Sequence, residues 1–152
     1  MIRLKSFLTA VLGCTLAASP LLAAPADSVR MRIAEFREIG ASFKAINDAM
    51  RSPTPQTMLL QIAARQIVNS SKQIYSWFPA GSGPESGAKT RAKPEIWQQA
   101  AKFKLVQDAF GKQAMAFQRA AGMGNVAMIQ AESRKLGATC KGCHDAFRTP
   151  DN

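Results

Sequence analysis

Cys140, Cys143 and His144 stand together in "LGATCKGCHDAFRTP", residues 136–150, and they make up two of the three cysteines and the only histidine of the chain. The order Cys-x-x-Cys-His is the spacing of a covalent c-type haem attachment. On a helix, positions i, i+3 and i+4 share one face, so two thiols and one imidazole converge. The thiols can add to the two vinyl groups of a haem and form thioethers. The imidazole is then held beneath the iron as an axial ligand. An iron has two axial positions, and this chain has one imidazole to offer.

Other chemistries use similar residues. A structural zinc site wants four protein ligands, whereas Cys140, Cys143 and His144 make three. A redox CxxC usually sits in a βαβ setting, and no such pattern is present. A disulfide between the two cysteines is compatible with export. A chance match would have to gather the sole histidine and two cysteines into five positions. Haem attachment is the reading that uses all three residues.

The opening "MIRLKSFLTAVLGCTLAASPLLAAPADS" has the layout of a secretory signal peptide: Arg3 and Lys5, an apolar run from Phe7, and small residues at Ala23 to Ala26. Residues 1–26 are expected to be removed, with cleavage within 23–26, leaving 27–152 as one domain. A competing reading makes "VLGC" a lipoprotein signal with Cys14 lipidated. The run is too short and too rich in Ser, Thr and Pro for a membrane-spanning helix. The whole chain carries a formal charge of +10, and without Arg3 and Lys5 it carries +8. That balance suits docking to acidic partners, while export to the periplasm argues against nucleic acid.

The elements that must position the motif are helical throughout. Val29, Ile33, Phe36, Gly40, Phe43, Asn47 and Met50 alternate four and three apart, with Ser28 as N-cap. Thr54-Pro55 is expected to start a second helix through Leu59, Ile62, Ile67, Ile74 and Trp77. "PAGSGPESGAKTRAKP" is a loop. Pro94 opens a third helix with Ile96, Ala100, Phe103, Gln107, Phe110, Ala114 and Phe117. "GMGN" ends it, and Asn125 can cap a fourth through Val126, Ile129, Ser133, Leu136, Cys140, Cys143 and Phe147. These four segments predict an all-α, antiparallel four-helix bundle with covalently bound haem c. The cysteines share the core seam, so the porphyrin should form part of the core.

In such a bundle the end of the fourth helix lies beside the start of the first. The iron should therefore face Val29, Ile33 or Phe36. Met31 falls off the seam, and Met50 lies roughly 21 Å beyond Phe36 along the axis. The expected distal wall is hydrocarbon.

A C-terminal CxxCH followed by "DAFR" on the last of four helices resembles the class II c-type cytochromes, the cytochrome c′ family. "SWFPAGSG" is similar to the family's end of helix two, and "KPEIWQQAAKF" to its start of helix three. "VRMRIAEFREIG" matches the pattern of an Arg followed four residues later by the distal residue, which maps onto Arg32 and Phe36. Ile33 stands where the family usually has Gln. Low-spin members carry Met at the distal position, and five-coordinate members carry a non-ligating residue. The resemblance thus implies His144 as the metal ligand and Phe36 over a vacant site. It also implies a propionate contact for Arg32, for which a solvated surface role is the alternative. Arg148, one turn beyond His144, is implied in the proximal pocket, with a helix-end cation as the alternative.

A high-spin haem with a phenyl ring over its open side offers no polar stabilisation to dioxygen but admits NO or CO. The expected function is therefore a periplasmic gas-binding cytochrome that buffers, senses or detoxifies NO. The alternative is an electron carrier cycling Fe(III) and Fe(II) with an acidic redox partner. A peroxidase would want a distal acid–base group, and no histidine is left, so an enzyme is not expected. The family often pairs through its first two helices, which implies a homodimer.

Overall fold

The computed structural model describes residues 24–150. The expected signal residues up to position 23, with Cys14, lie outside the described residues. Five helices follow one another: α1 Pro25–Ala49, α2 Thr57–Gln73, α3 Glu95–Gln98, α4 Ala100–Met123 and α5 Val126–Phe147. Short 3-10 turns at Ile74–Ser76 and Pro84–Ser86 lie in the connection between α2 and α3. The described residues contain no strand, and the only β-type pairing among them is an isolated bridge between Ala92 and Arg148. Helix α1 packs on α2, α2 on α4, and α4 on α5, which is the up-down-up-down order of an antiparallel four-helix bundle. Helices α1 and α5 lie less closely against each other than these three pairs do.

Helix boundaries follow local chemistry, with four departures from expectation, one being that α2 ends at Gln73 and gives way to the 3-10 turn Ile74–Ser76 instead of continuing through Trp77. Pro25 opens α1 because the first helical N–H has no intrahelical partner to lose. Ser28 therefore sits inside the helix, buried, rather than capping it. Helix α2 starts at Thr57, not at Thr54-Pro55, with Gln56 as its extended N-cap. The segment before it turns instead, and the Ser52 hydroxyl accepts from the Thr54 N–H. The expected third helix is broken at Gln99, whose φ of −120° and ψ of 46° are non-helical. One turn, α3, is thereby set apart from α4, and the Trp97 indole N–H on that turn donates to the Phe78 and Pro79 carbonyls. Elsewhere the punctuation is as read: Gly124 ends α4 in the left-handed region (φ 69°), and Asn125 caps α5 by accepting from the Met128 N–H.

The buried stripe of α1 is rotated from the expected one. Val29, Arg32, Ile39 and Ile46 are buried, with Phe36, Phe43 and Met50 partly buried against the core. The spacing is three-four rather than four-three, because Ile39 and Ile46 bury far more apolar area than Gly40 and Asn47. Asn47 accordingly faces solvent. On α2 the same choice brings in Leu60, Ala63, Ala64, Ile67 and Val68 and leaves Leu59 and Ile62 outside. Two clusters result. The main one joins all the long helices around Trp77, Phe117, Ile129 and Leu136, and a smaller one gathers Ile96, Phe103 and Phe147. Gln107, polar on its seam, is buried with its amide donating to the Ile74 carbonyl at 3.2 Å. No helix among the described residues is long and apolar enough to cross a membrane.

Candidate haem-binding site

The last two turns of α5 bring Cys140, Cys143 and His144 together as the spacing requires. Both cysteines are half-buried and unpaired. Cys140 packs against the main core and Cys143 against the smaller cluster, so the two sulfurs bridge both parts of the interior. Burial pushes the Cys143 thiol up to about 11 and raises Cys140 as well. Reactive CxxC pairs and metal thiolates instead need a lowered pKa. Among the described residues no three His, Cys, Asp or Glu side chains converge to hold a metal ion. The pair is thus a set of protonated, core-facing thiols, which fits addition to apolar vinyl groups.

His144 is exposed on α5 and lines a cavity with Lys93, Asp145 and Arg148. Gly137, seven residues earlier and on the same side of the helix, faces Phe43 of α1. A Cβ on Gly137 would stand 3.1 Å from Cζ of Phe43. Because α1 and α5 run in opposite directions, one step of seven residues carries this contact from Phe43 and Gly137 to Phe36 and His144. Burial chiefly, then the Arg91 cation, holds the His144 pKa below the usual imidazole range, with Asp145 opposing. The neutral form, whose ring nitrogen can bind iron, persists further into acid as a result.

Phe36 is held in an aromatic box. Its ring meets Trp77 edge-on at 5.2 Å and Phe78 at 6.1 Å, and Phe78 in turn touches Trp97 at 6.3 Å and Phe103 at 4.8 Å. Such edge-to-face pairs restrain ring rotation. Of the methionines weighed as ligands, Met31 is exposed and Met50 packs on the core at the opposite end of α1.

Arg32 departs from one of its two readings. Its side chain is buried, 3% exposed, so the solvated alternative does not hold. One terminal nitrogen donates to the Trp77 carbonyl and the Ser82 hydroxyl, the other to the Ser82 carbonyl and the Thr90 hydroxyl, at 2.9–3.2 Å. The guanidinium also lies 4.6 Å from the Phe78 ring centroid. Burial lowers its pKa, with Glu85 opposing. Arg32 thus ties the long α2–α3 connection to the first helix, one turn from Phe36. Arg148 forms the C-cap of α5, its N–H donating to the His144 carbonyl at 3.0 Å. It lines, with His144, Lys93 and Asp145, a cavity of about 330 Å³.

Sequence reasoning passed over the residues that fix this geometry from the α2–α3 connection: Phe78, Ser82, Thr90, Lys93 and Trp97. Their signal was the density of aromatic and hydroxyl residues around the Gly/Pro-rich loop, which by itself names no contact.

A helical bundle whose last helix turns two free thiols inward beside an imidazole defines a four-helix protein with covalently bound haem c. The family model described as Cytochrome C' matches residues 27–148. A cytochrome c' of Alcaligenes xylosoxydans xylosoxydans is 32% identical over 126 residues, covering 83% of this chain and 96% of the relative. The crystal structure of cytochrome c' from Rubrivivax gelatinosus superposes with a TM-score of 0.77 at 28% identity, over 84% of this chain and 98% of that one. A nitric oxide complex of a cytochrome c prime variant from Alcaligenes xylosoxidans gives a TM-score of 0.77 at 27% identity, over 86% and 99%. The chain belongs to the cytochrome c′ family, and its cofactor is haem c.

Proposed function

We propose that this protein is exported to the periplasm, loses residues 1–26, and binds NO or CO at an open axial position of its haem. Cys140 and Cys143 hold the porphyrin through thioethers, and His144 is the only protein ligand of the iron. Phe36 covers the opposite side and sets how readily a diatomic gas enters. Arg148 lies on the imidazole side. Arg32 shapes the wall by anchoring the loop, and its propionate contact is the finer expectation. The contact between Phe43 and Gly137 carries the reading, because one antiparallel step of seven residues along each helix leads from it to Phe36 and His144 rather than to a methionine. A nitric oxide complex of a related cytochrome c prime supports the choice of gas. The chemistry is binding rather than turnover, because Phe36 supplies no acid or base.

Electron paramagnetic resonance and optical spectra of the purified protein test this. The expected result is five-coordinate, high-spin iron, with CO binding to the ferrous form. A six-coordinate low-spin resting state that refuses CO overturns it. Electron carriage is the second reading, favoured by the basic balance of the chain, which suits an acidic redox partner. Pairing of two copies through α1 and α2 would cover the exposed Leu59 and Ile62, and sedimentation at graded concentrations would show it.

A further inference from the structure

A helix ends with carbonyls that have no donor inside it. In α5 the regular ladder stops at the bond from the Arg148 N–H to the His144 carbonyl, 3.0 Å. The next three carbonyls, of Asp145, Ala146 and Phe147, all accept from one residue on another segment. The Lys93 ammonium donates to Asp145 at 3.2 Å and Ala146 at 3.4 Å, and the Lys93 backbone N–H donates to Phe147 at 3.0 Å. Neighbouring residues complete a strap: Ala92 bridges to Arg148, and the Thr149 N–H donates to the Arg91 carbonyl at 2.9 Å. The strap's other end is fixed, because the Thr90 hydroxyl accepts from both the Ala92 N–H and Arg32.

We propose that Lys93 is a positioning residue for His144: by holding the three orphan carbonyls that end α5, it keeps the last turn wound and the imidazole at a fixed height. The inference rests on His144 being the axial ligand. The last turn of a helix frays unless its carbonyls find partners, and a cation there also opposes the negative end of the helix dipole. An imidazole on a fraying turn would tilt and lengthen its bond to the metal. Lys141, on the same helix, pairs only with the Asp145 carboxylate, an exposed i,i+4 contact that holds no carbonyl.

The test uses the haem-loaded protein carrying Lys93→Met, with Lys93→Arg and Lys141→Met beside it. Two quantities are read: amide exchange at residues 145–148, and the iron–imidazole stretching band in the resonance Raman spectrum of the ferrous form. In Lys93→Met, exchange should quicken about tenfold, the scale of one lost charged hydrogen bond, and the band should fall and broaden. Lys93→Arg should restore both, and Lys141→Met should leave both unchanged. A Lys93→Met protein that melts earlier with an unmoved band overturns the proposal, since a merely structural cap would behave so. If Lys93→Met does not accumulate folded, Lys93→Gln is read in its place by the same criteria. An iron–imidazole band missing from the unmutated protein instead removes His144 as ligand, and the positioning role with it.

Discussion

At the scale of single residues, the proposed site places Phe36 opposite His144 and holds the haem by two cysteines, and two of these roles have direct tests. Methionine is unbranched and carries a thioether that can reach iron. Phe36→Met is therefore expected to convert much of the iron to six-coordinate low spin, seen as loss of the high-spin optical and paramagnetic signals. Unchanged spectra would remove Phe36 from the distal position. Replacing Cys140 and Cys143 together by Ala is expected to make the haem extractable by acid-acetone, whereas the unmutated protein retains it. Both thiols lie against apolar clusters, and burial raises the pKa of each.

At the scale of elements, α1 and the long connection after α2 are tied together by Arg32, and α1 meets α5 at Gly137. Gly137 leaves room for Phe43, and a Cβ there meets the ring at 3.1 Å. Gly137→Val is expected to lower unfolding stability by about 1–3 kcal/mol through overpacking, measured by chemical denaturation. Arg32→Met removes four donors from buried loop acceptors. A loss of about 2 kcal/mol or more is expected from such unsatisfied groups, together with faster proteolysis between residues 77 and 94. Helix order, the Gly124–Asn125 break and the α5 seam from Ile129 onward were legible because apolar period and capping residues agree there, whereas Val126, expected on that seam, is exposed. On α1 two overlapping stripes compete, and Ile39 with Ile46 outweighs Gly40 with Asn47 only once packing partners exist. The break at Gln99 was not legible, since it follows from the hold of Trp97 on carbonyls some 18 residues earlier. The role of Arg32 was hidden for the same reason: its acceptors lie 45 to 58 residues away.

At the scale of the whole molecule, the bundle places Cys140, Cys143 and His144 at one end and its tight α4–α5 turn at the other. Thr57 lies within reach of Gly124 there, and the Gln61 amide donates to the Ala121 carbonyl at 3.2 Å. This far end is built without the cofactor residues, and Phe117 is fully buried in the long-helix core. Phe117→Ala is expected to destabilise the fold by about 3–5 kcal/mol, in thermal melts, while leaving the spin state of the iron as it was. A changed spin state would mean that the two ends are mechanically linked.

The aromatic box around Phe36 has an optical consequence. The chain contains only two tryptophans, and both belong to that box, Trp77 directly and Trp97 through Phe78. Their emission is set to drain into the porphyrin by energy transfer, leaving the mature protein dark under ultraviolet excitation. A cell extract or refolding mixture would thus report the unloaded fraction by its glow, with no label attached.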